Sequence, residues 1–468
     1  MIFLLRSFIL TSLCGLLTVC VVVAQQTLPV LQGWDAYPAI LKRISPPTFP
    51  QKDFLVTKFG AVGDDKTDCT NAFKKAIEKC HAAGGGRVVV PKGVYLTGAL
   101  HLLSNVNLHI SKEAVVKFST DPKKYLPVVY TRWEGVECMN YSPLIYAFEQ
   151  ENIAVTGEGV LHGQGADNNW WSWKGNKDTS KPNQKEARTK LNDMGEKNVP
   201  VAKRIFGEGS YLRPNFFEPY RCKNVLVEGV TFKNSPMWFL NPVLCTNVSV
   251  IGVTTEGLGP NNDGCDPESC TDVLIKNCYF NTGDDCIAIK SGRNNDGRRV
   301  NVPCSNIIVQ GCRMKNGHGG VSLGSECSGG IQNVYAENDT MDSPNLDRML
   351  RIKTNSIRGG VVENVYFRNI KVGQVADAVM QIDFYYEEGD AGNFTPFVRN
   401  VELKNIESNR SKYGLWIKAY DRAPATNVHV ENCTFHNVSK PNVLENVKNL
   451  TMINVKVSAP SDIEKKGE

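Results

Sequence analysis

Along most of the chain one polar residue, nearly always Asn, precedes a short run of alternating or continuous apolar positions. Asn224-Val-Leu-Val, Asn247-Val-Ser-Val, Asp272-Val-Leu-Ile, Asn306-Ile-Ile-Val, Asn333-Val-Tyr-Ala, Asn364-Val-Tyr-Phe, Asn400-Val-Glu-Leu and Asn427-Val-His-Val repeat the unit. An earlier copy starts at Asn152 and a weaker one at Asn449. From Asn224 onward the starts lie 22 to 36 residues apart. A base period in the low twenties with loop insertions predicts coils of two or three short strands. Such a coil is too small to bury its own apolar face, so it stacks on the next and forms a parallel β-helix.

The phase agrees. Six residues after the starts from Asn224 stand Val230, Val253, Cys278, Cys312, Asp339, Ile370, Ile406, Cys433 and Val455. All but Asp339 are apolar or Cys, which predicts an inward-facing ladder. Cys278, Cys312 and Cys433 then act as small buried hydrophobes. The repeated Asn reads as a turn residue or a hydrogen-bonded ladder, so Asn-x-Ser/Thr triplets such as Asn247-Val248-Ser249 are structural.

Ahead of the repeats the pattern changes. Phe54 to Phe59 reads as a strand and Gly60 to Asp68 as a turn-rich loop. Asp68 or Thr70 can cap a helix whose apolar face is Ala72, Phe73, Ala76, Ile77 and Cys80, and Gly84-Gly85-Gly86 ends it. Arg87 to Pro91 and Val94 to Thr97 read as strands. The predicted fold is all-β: one parallel β-helix domain over residues 54–460, with an N-terminal capping helix. Residues 25–53 form an extended segment laid on the body, and residues 461–468 a tail. The polar stretch from Lys174 to Arg204 breaks the rhythm and reads as a solvated loop. The Trp170-Trp171-Ser172-Trp173 cluster before it is either a sugar-stacking platform or that loop's own core.

Composition narrows the class. The 468 residues carry a net charge of +5, which suits an acidic ligand, and no dense basic run points to nucleic acid. Residues 1–24 read as a secretory signal: Arg6, an apolar stretch from Phe8 to Val23, and small Val22 and Ala24 before a cleavage site at Gln25. The mature protein is then secreted or periplasmic, with no membrane span, and is expected as a monomer. Of fifteen Cys, thirteen remain after cleavage.

The chemistry gathers around Gly283-Asp284-Asp285. Asp284 lies 12 residues after Asp272, and His318 lies 12 after Asn306, so the two share a phase on successive coils. Strands stack about 4.8 Å apart. Asp263 lies about one coil back. Arg351 and Lys353 lie further on, on one face of a strand with Ile352 turned inward. Three carboxylates, two cations and an imidazole can bind an anion and manage a proton. Glycoside hydrolysis needs a protonated carboxyl for the leaving oxygen and a carboxylate for water or for attack. Crowding of the acids is expected to keep one of them protonated. Arg351 can take a sugar acid's carboxylate. Asn261 and Lys290 are added as candidate substrate contacts.

Asn261-Asn262-Asp263-Gly264, Gly283-Asp284-Asp285, Gly317-His318-Gly319 and Arg351-Ile352-Lys353 occur in order and closely resemble the four motifs of the polygalacturonases, glycoside hydrolase family 28. The resemblance runs from about Phe54 to Val457. It implies a right-handed parallel β-helix and inverting hydrolysis of α-1,4-galacturonosyl linkages in pectin, an acidic plant cell-wall polysaccharide. It needs no cofactor and no metal. It makes Asp284 the general acid, gives Asp263 and Asp285 the water, and makes His318 the support of the acid. Arg351 and Lys353 hold the substrate carboxylate, with Tyr386, or as second choice Tyr385, as a substrate-binding Tyr. The common Asn-Thr-Asp is Asn261-Asn262-Asp263 here. The Asp167–Arg204 loop, the Gln25–Gln51 extension and the Arg293–Pro303 insertion can wall off one end of the groove, which favours attack from a chain end. The alternatives are a hydrolase of rhamnogalacturonan or xylogalacturonan, a Ca²⁺-dependent pectate lyase using the same acids as ligands, and a β-helix that binds polysaccharide without cutting it.

Overall fold

A computed structural model describes residues 33–175 and 180–460. The expected signal peptide, the first residues of the N-terminal extension and the C-terminal tail lie outside the described residues. Two parallel sheets of thirteen strands each run the length of the molecule. A third face has three strands near the N-terminal end and six toward the other. Single parallel bridges from Phe217 to Leu240, Leu240 to Cys265 and Cys265 to Ile287 join these two parts. Each coil thus adds one rung to each of three faces, which is the expected parallel β-helix.

The core follows from the register. Val248, Val273, Ile307, Val334, Val365, Val401 and Val428 pair in one column through seven coils. All are buried. Each such side chain contributes roughly 1.5–3 kcal/mol of apolar burial. The ladder six residues after the Asn is buried from Val230 to Cys433, and only Val455 on the last coil is partly open. Asp339 is buried in that ladder too. Its Oδ1 accepts the Cys312 N–H at 2.7 Å, and burial pushes its carboxyl up to about 8. Protonated, it fits an inward position.

The repeated Asn is both turn and ladder. Asn152, Asn224, Asn247, Asp272, Asn306, Asn333, Asn364, Asn400, Asn427 and Asn449 all have φ between 53° and 60°. Asn and Asp tolerate this left-handed conformation better than other side chains with a Cβ. The Asn amides also bond from coil to coil, Asn224 Nδ2 to Asn152 Oδ1 at 2.8 Å and Asn333 Nδ2 to Asn306 Oδ1 at 3.1 Å. Asp272 cannot donate to Asn247, and the ladder breaks there. The N-terminal segment fills the gap. Arg43 pairs with both Asp272 oxygens at 2.8 and 3.2 Å, while Ser45 exchanges two hydrogen bonds with the Asn247 amide.

Several local expectations are corrected. Residues 25–53 are not simply extended: Tyr37–Arg43 is a helix, α1, whose Tyr37 and Ile40 pack on the outer face of the first sheet. The predicted strand Phe54–Phe59 is a strand only at Asp53–Leu55, followed by a 3₁₀ turn. Asp64–Asp68 of the predicted loop pairs as a short exposed strand. The capping helix, α2, spans Thr70–Ala82 and buries the five residues expected of it. Asp68 Oδ1 accepts the Thr70 N–H at 2.9 Å. Lys174–Arg204 is no plain loop, because Lys185–Glu196 forms helix α3. Trp170 is 1% exposed and packs against Tyr125 and Trp173, and Trp171 donates to Ser235 O. The cluster is therefore the insertion's own core. All thirteen described Cys are buried thiols. Cys222, Cys245, Cys270 and Cys304 stack two residues before successive ladder residues, with Sγ atoms accepting backbone N–H groups at 3.4 Å.

Candidate active site

The third face places the chemistry. Cys265, Ile287, Val321 and Leu350 are in register on four successive coils. Asp263 and Asp285 each stand two residues before their rung, and Asp284 and His318 three before theirs. Asp263 therefore aligns with Asp285 and not with Asp284, a refinement of the expected one-coil spacing. Arg351 is in register with Ser322, with Ile352 buried between Arg351 and Lys353 as expected. The glycines around His318 are steric necessities. A Cβ on Gly317, at φ 140°, would sit 2.2 Å from Asp284 O. On Gly319 it would meet Ser322 Oγ at 2.3 Å.

Asp263, Asp284, Asp285, His318, Arg351, Lys353, Asn261, Lys290 and Tyr386 all line one pocket of about 440 Å³. One oxygen from each of the three Asp lies within 4.8 Å of the others. Their environments differ sharply. Asp285 is 1% exposed, receives Lys353 Nζ at 2.6 Å and Ser322 Oγ at 2.7 Å, and has Arg351 at 3.6 Å. Burial works to raise its carboxyl, but Lys353 and Arg351 hold it well below the usual range. Asp284 is 20% exposed, the most open of the three, and its Oδ1 lies 2.9 Å from His318 Nδ1. Burial pushes it up, yet the His318 hydrogen bond leaves it below its ordinary value. Asp263 is pushed well above its ordinary value, by burial first and then by Asp266 and Asp284. Of the three acids Asp263 is the one raised, with burial ahead of its acidic neighbours as the cause.

Two of the expected substrate contacts, Lys290 and Asn261, line the pocket and are also held by neighbouring side chains. Lys290 is 3% exposed and lies among Glu326 at 3.3 Å and Asp263 and Asp266 at 3.7 Å, with its ammonium 4.5 Å from the Trp238 ring centre. It sits among buried acids in the pocket floor. The Asn261 carbonyl is taken by Lys174 at 2.8 Å and Arg213 at 2.7 Å, while its amide reaches Asp284 Oδ2 at 3.5 Å. Tyr386, not Tyr385, joins the pocket, its ring 5.2 Å from the Arg351 guanidinium and 5.4 Å from the Lys353 ammonium. Asn262, where Thr is common, is fully buried; its amide donates to Ser235 O and Met237 O and its Oδ1 accepts the Gly259 N–H. The substitution shapes the loop and leaves Asp263 in place. Asp266, Glu326, Glu134, Lys174 and Arg188 were not among the sequence candidates. Asp266 had a signal, being three residues after Asp263 on the same run. The others come from insertions or distant coils.

Three acids this close could surround one cation. Here Lys353 lies against Asp285, His318 against Asp284 and Lys290 near Asp263.

One end of the pocket is walled. An antiparallel hairpin, Val129–Trp133 with Val136–Asn140, meets α3, a helix α4 at Asn294–Val300 and the Glu387-Glu388 turn. Arg188 on α3 bonds Glu134 at the hairpin tip at 2.5 Å. Arg293 lies 3.5 Å from Glu326 and 3.3 Å from Glu388, and Arg204 lies 2.7 Å from Asp296. The Asp167–Arg204 and Arg293–Pro303 insertions thus contribute Lys174, Arg188 and Arg293 to the pocket lining. The described part of the N-terminal extension does not, since it lies on the outer face of the first sheet.

Residues 202–396 match the family model for glycosyl hydrolases family 28, and residues 54–109 match that for rhamnogalacturonase A/epimerase, pectate lyase-like. A crystal structure of an exopolygalacturonase from Thermotoga maritima is 43% identical, covering 91% of this chain and 96% of its own, with a TM-score of 0.88. The chain belongs to glycosyl hydrolase family 28. A probable polygalacturonase of Vitis vinifera is 28% identical over 82% of this chain and 74% of its own. The Yersinia enterocolitica family 28 exopolygalacturonase, 24% identical with a TM-score of 0.69, shares the fold over 88% of this chain and 78% of its own. The family 28 assignment makes the chain a glycosidase, and its matched region contains all four motifs.

Proposed function

We propose that this glycosidase hydrolyses α-1,4-galacturonosyl linkages in de-esterified pectin, working from a chain end. The observation that carries the reading is the pocket itself: three carboxylates and an imidazole for proton and water, beside the Arg351-Lys353 pair, in a cavity closed at one end. The closed end suits removal of terminal sugar units from an acidic polymer. In this reading the protein acts outside the cytoplasm and works as a monomer.

Asp284 is the proton donor. It is the most open of the acids, and its hydrogen bond to His318 lets the pair store one proton on either group. Docking of the leaving oxygen against Asp284, with water displaced, favours the neutral carboxyl that delivers it. Asp285, held ionised by Lys353, deprotonates the water, and Asp263 helps to orient it. Inversion is what the family implies. Closest oxygens within 4.8 Å are nearer than the roughly 6.5–9.5 Å usual for a single acid–base pair in inverting enzymes. The water must then sit beside the Asp263–Asp285 pair and not between two opposed carboxylates. Arg351 and Lys353, with Tyr386 beside them, take a sugar carboxylate.

The test is digestion of polygalacturonate with products separated at early times. Only the shortest sugars should rise; a ladder of intermediate oligomers would overturn chain-end attack. Asp284→Asn should lose turnover by about 10³-fold or more while still binding substrate. Unchanged turnover would remove it as the donor.

A further inference from the structure

The closed end of the pocket carries a second cationic site that neither the family motifs nor the sequence reading marked. Lys174 ends the 3₁₀ turn Trp170–Lys174, and its Nζ donates to Asn261 Oδ1 at 2.8 Å. Arg213, fully buried, donates to the same oxygen at 2.7 Å, and its other contacts are Gln184 Oε1 and the carbonyls of Pro236 and Pro260. Neither cation has a carboxylate oxygen within 4.0 Å among the described residues. Arg188 bonds Glu134 through Nε at 2.5 Å and lines the pocket. Lys174, Arg188 and Arg213 thus gather beside Glu134, which bonds only Arg188 among the three.

An uncompensated buried charge is costly. Burial, with Arg213 and Arg188 adding to it, outweighs the opposing pull of Glu134 and Asp284 and holds the Lys174 ammonium below its ordinary value, and burial brings Arg213 down to about 10 against the same two acids and Asp263. An anion bound here relieves both. Position tells which anion. Asn261 belongs to the Asp263 coil, and Arg351 lies three coils further along the stack. The acids lie between the two cation groups.

We propose that Lys174 and Arg188 form a second carboxylate-binding site, positioned by Asn261, Arg213 and Glu134, that takes the acid group of the terminal uronic acid in the closed end. The site then reads the charge of two neighbouring sugars, one on each side of the cleaved bond, and rejects a terminal ring whose acid is esterified. This rests on the chain-end reading above.

The test compares short oligogalacturonates with a free acid on every ring against the same oligomers methyl-esterified on one terminal ring, at either end in turn. Wild-type kcat/KM should fall about 10- to 100-fold with the ester at the end that enters the closed pocket, the range of a lost charge-assisted hydrogen bond. Lys174→Met and Arg188→Gln should lose a similar factor on the free acid and little more on the ester, bringing the ratio toward one. Lys174→Arg should restore part of the discrimination. Equal losses on both substrates in a variant that unfolds at the wild-type temperature, leaving the ratio at its wild-type value, would overturn the proposal. Wild-type digestion of polygalacturonate reads the underlying assumption separately, since a product ladder would sink chain-end attack whatever the ester ratio.

Discussion

Lys290→Met separates a floor support from a substrate contact. The side chain is 3% exposed, with Glu326 at 3.3 Å and Asp263 and Asp266 at 3.7 Å. At an effective dielectric of about 20, each contact is worth about 4–5 kcal/mol before desolvation. The sum overstates the loss, because burial pushes Asp263 and Asp266 up and so works against their charged forms. Removing one partner of a buried ionic group costs about 3–5 kcal/mol. With an unfolding entropy of roughly 2.1 cal/mol/K per residue over about 430 residues, this lowers the melting temperature by about 3–6 °C. Asp263 loses its nearest cation and rises further, so the acidic limb of the pH–rate profile should move up in pH and kcat should fall. KM should change little, because the Lys290 ammonium is engaged by Glu326, Asp263 and Asp266. The assays are thermal unfolding and steady-state kinetics across pH. A variant as stable as wild type, with only KM raised, would refute this account and make Lys290 a substrate ligand.

Proton NMR of early products should show inversion at the freed anomeric carbon; retention would mean that Asp263 or Asp285 attacks the sugar directly. His318 is raised, chiefly by its hydrogen bond to Asp284, while Asp284 is depressed. The His318 part of their mutual stabilisation is complete below about pH 6.5 and is lost as pH rises through its elevated folded value; the Asp284 part is present above about pH 4 and is lost as pH falls through its depressed one. The pair therefore loses its deliverable proton on the alkaline side, and His318→Gln should cut turnover about 10²-fold and displace the alkaline limb, whereas an unchanged profile would exclude His318 from proton storage. Activity should survive a strong chelator without a rise in ultraviolet absorbance from a new double bond; loss of activity on chelation would favour the lyase.

The coil repeat was legible from residues alone. A recurring Asn at the start of an apolar run carries two local demands, a left-handed turn and an amide that pairs with its copy, and both act whatever surrounds them. The same phase placed Asp284 beside His318 and turned Ile352 inward, because parallel stacking converts equal sequence phase into spatial contact. The capping helix was visible through its own periodicity. What the sequence could not reveal depends on partners from remote segments. Lys290 follows an apolar run and reads as a free cation until the coils bury it among Asp263, Asp266 and Glu326. Which acid rises was equally hidden, since Asp263, Asp284 and Asp285 are alike in chemistry and differ only in the cations that the fold brings to each. Insertions have no repeat phase, so the meeting of Arg188, Glu134, Arg293 and Lys174 at the closed end was decided by tertiary structure alone. The residue types and their order set the chemistry; desolvation and contacts between distant coils set each group's charge and exposure.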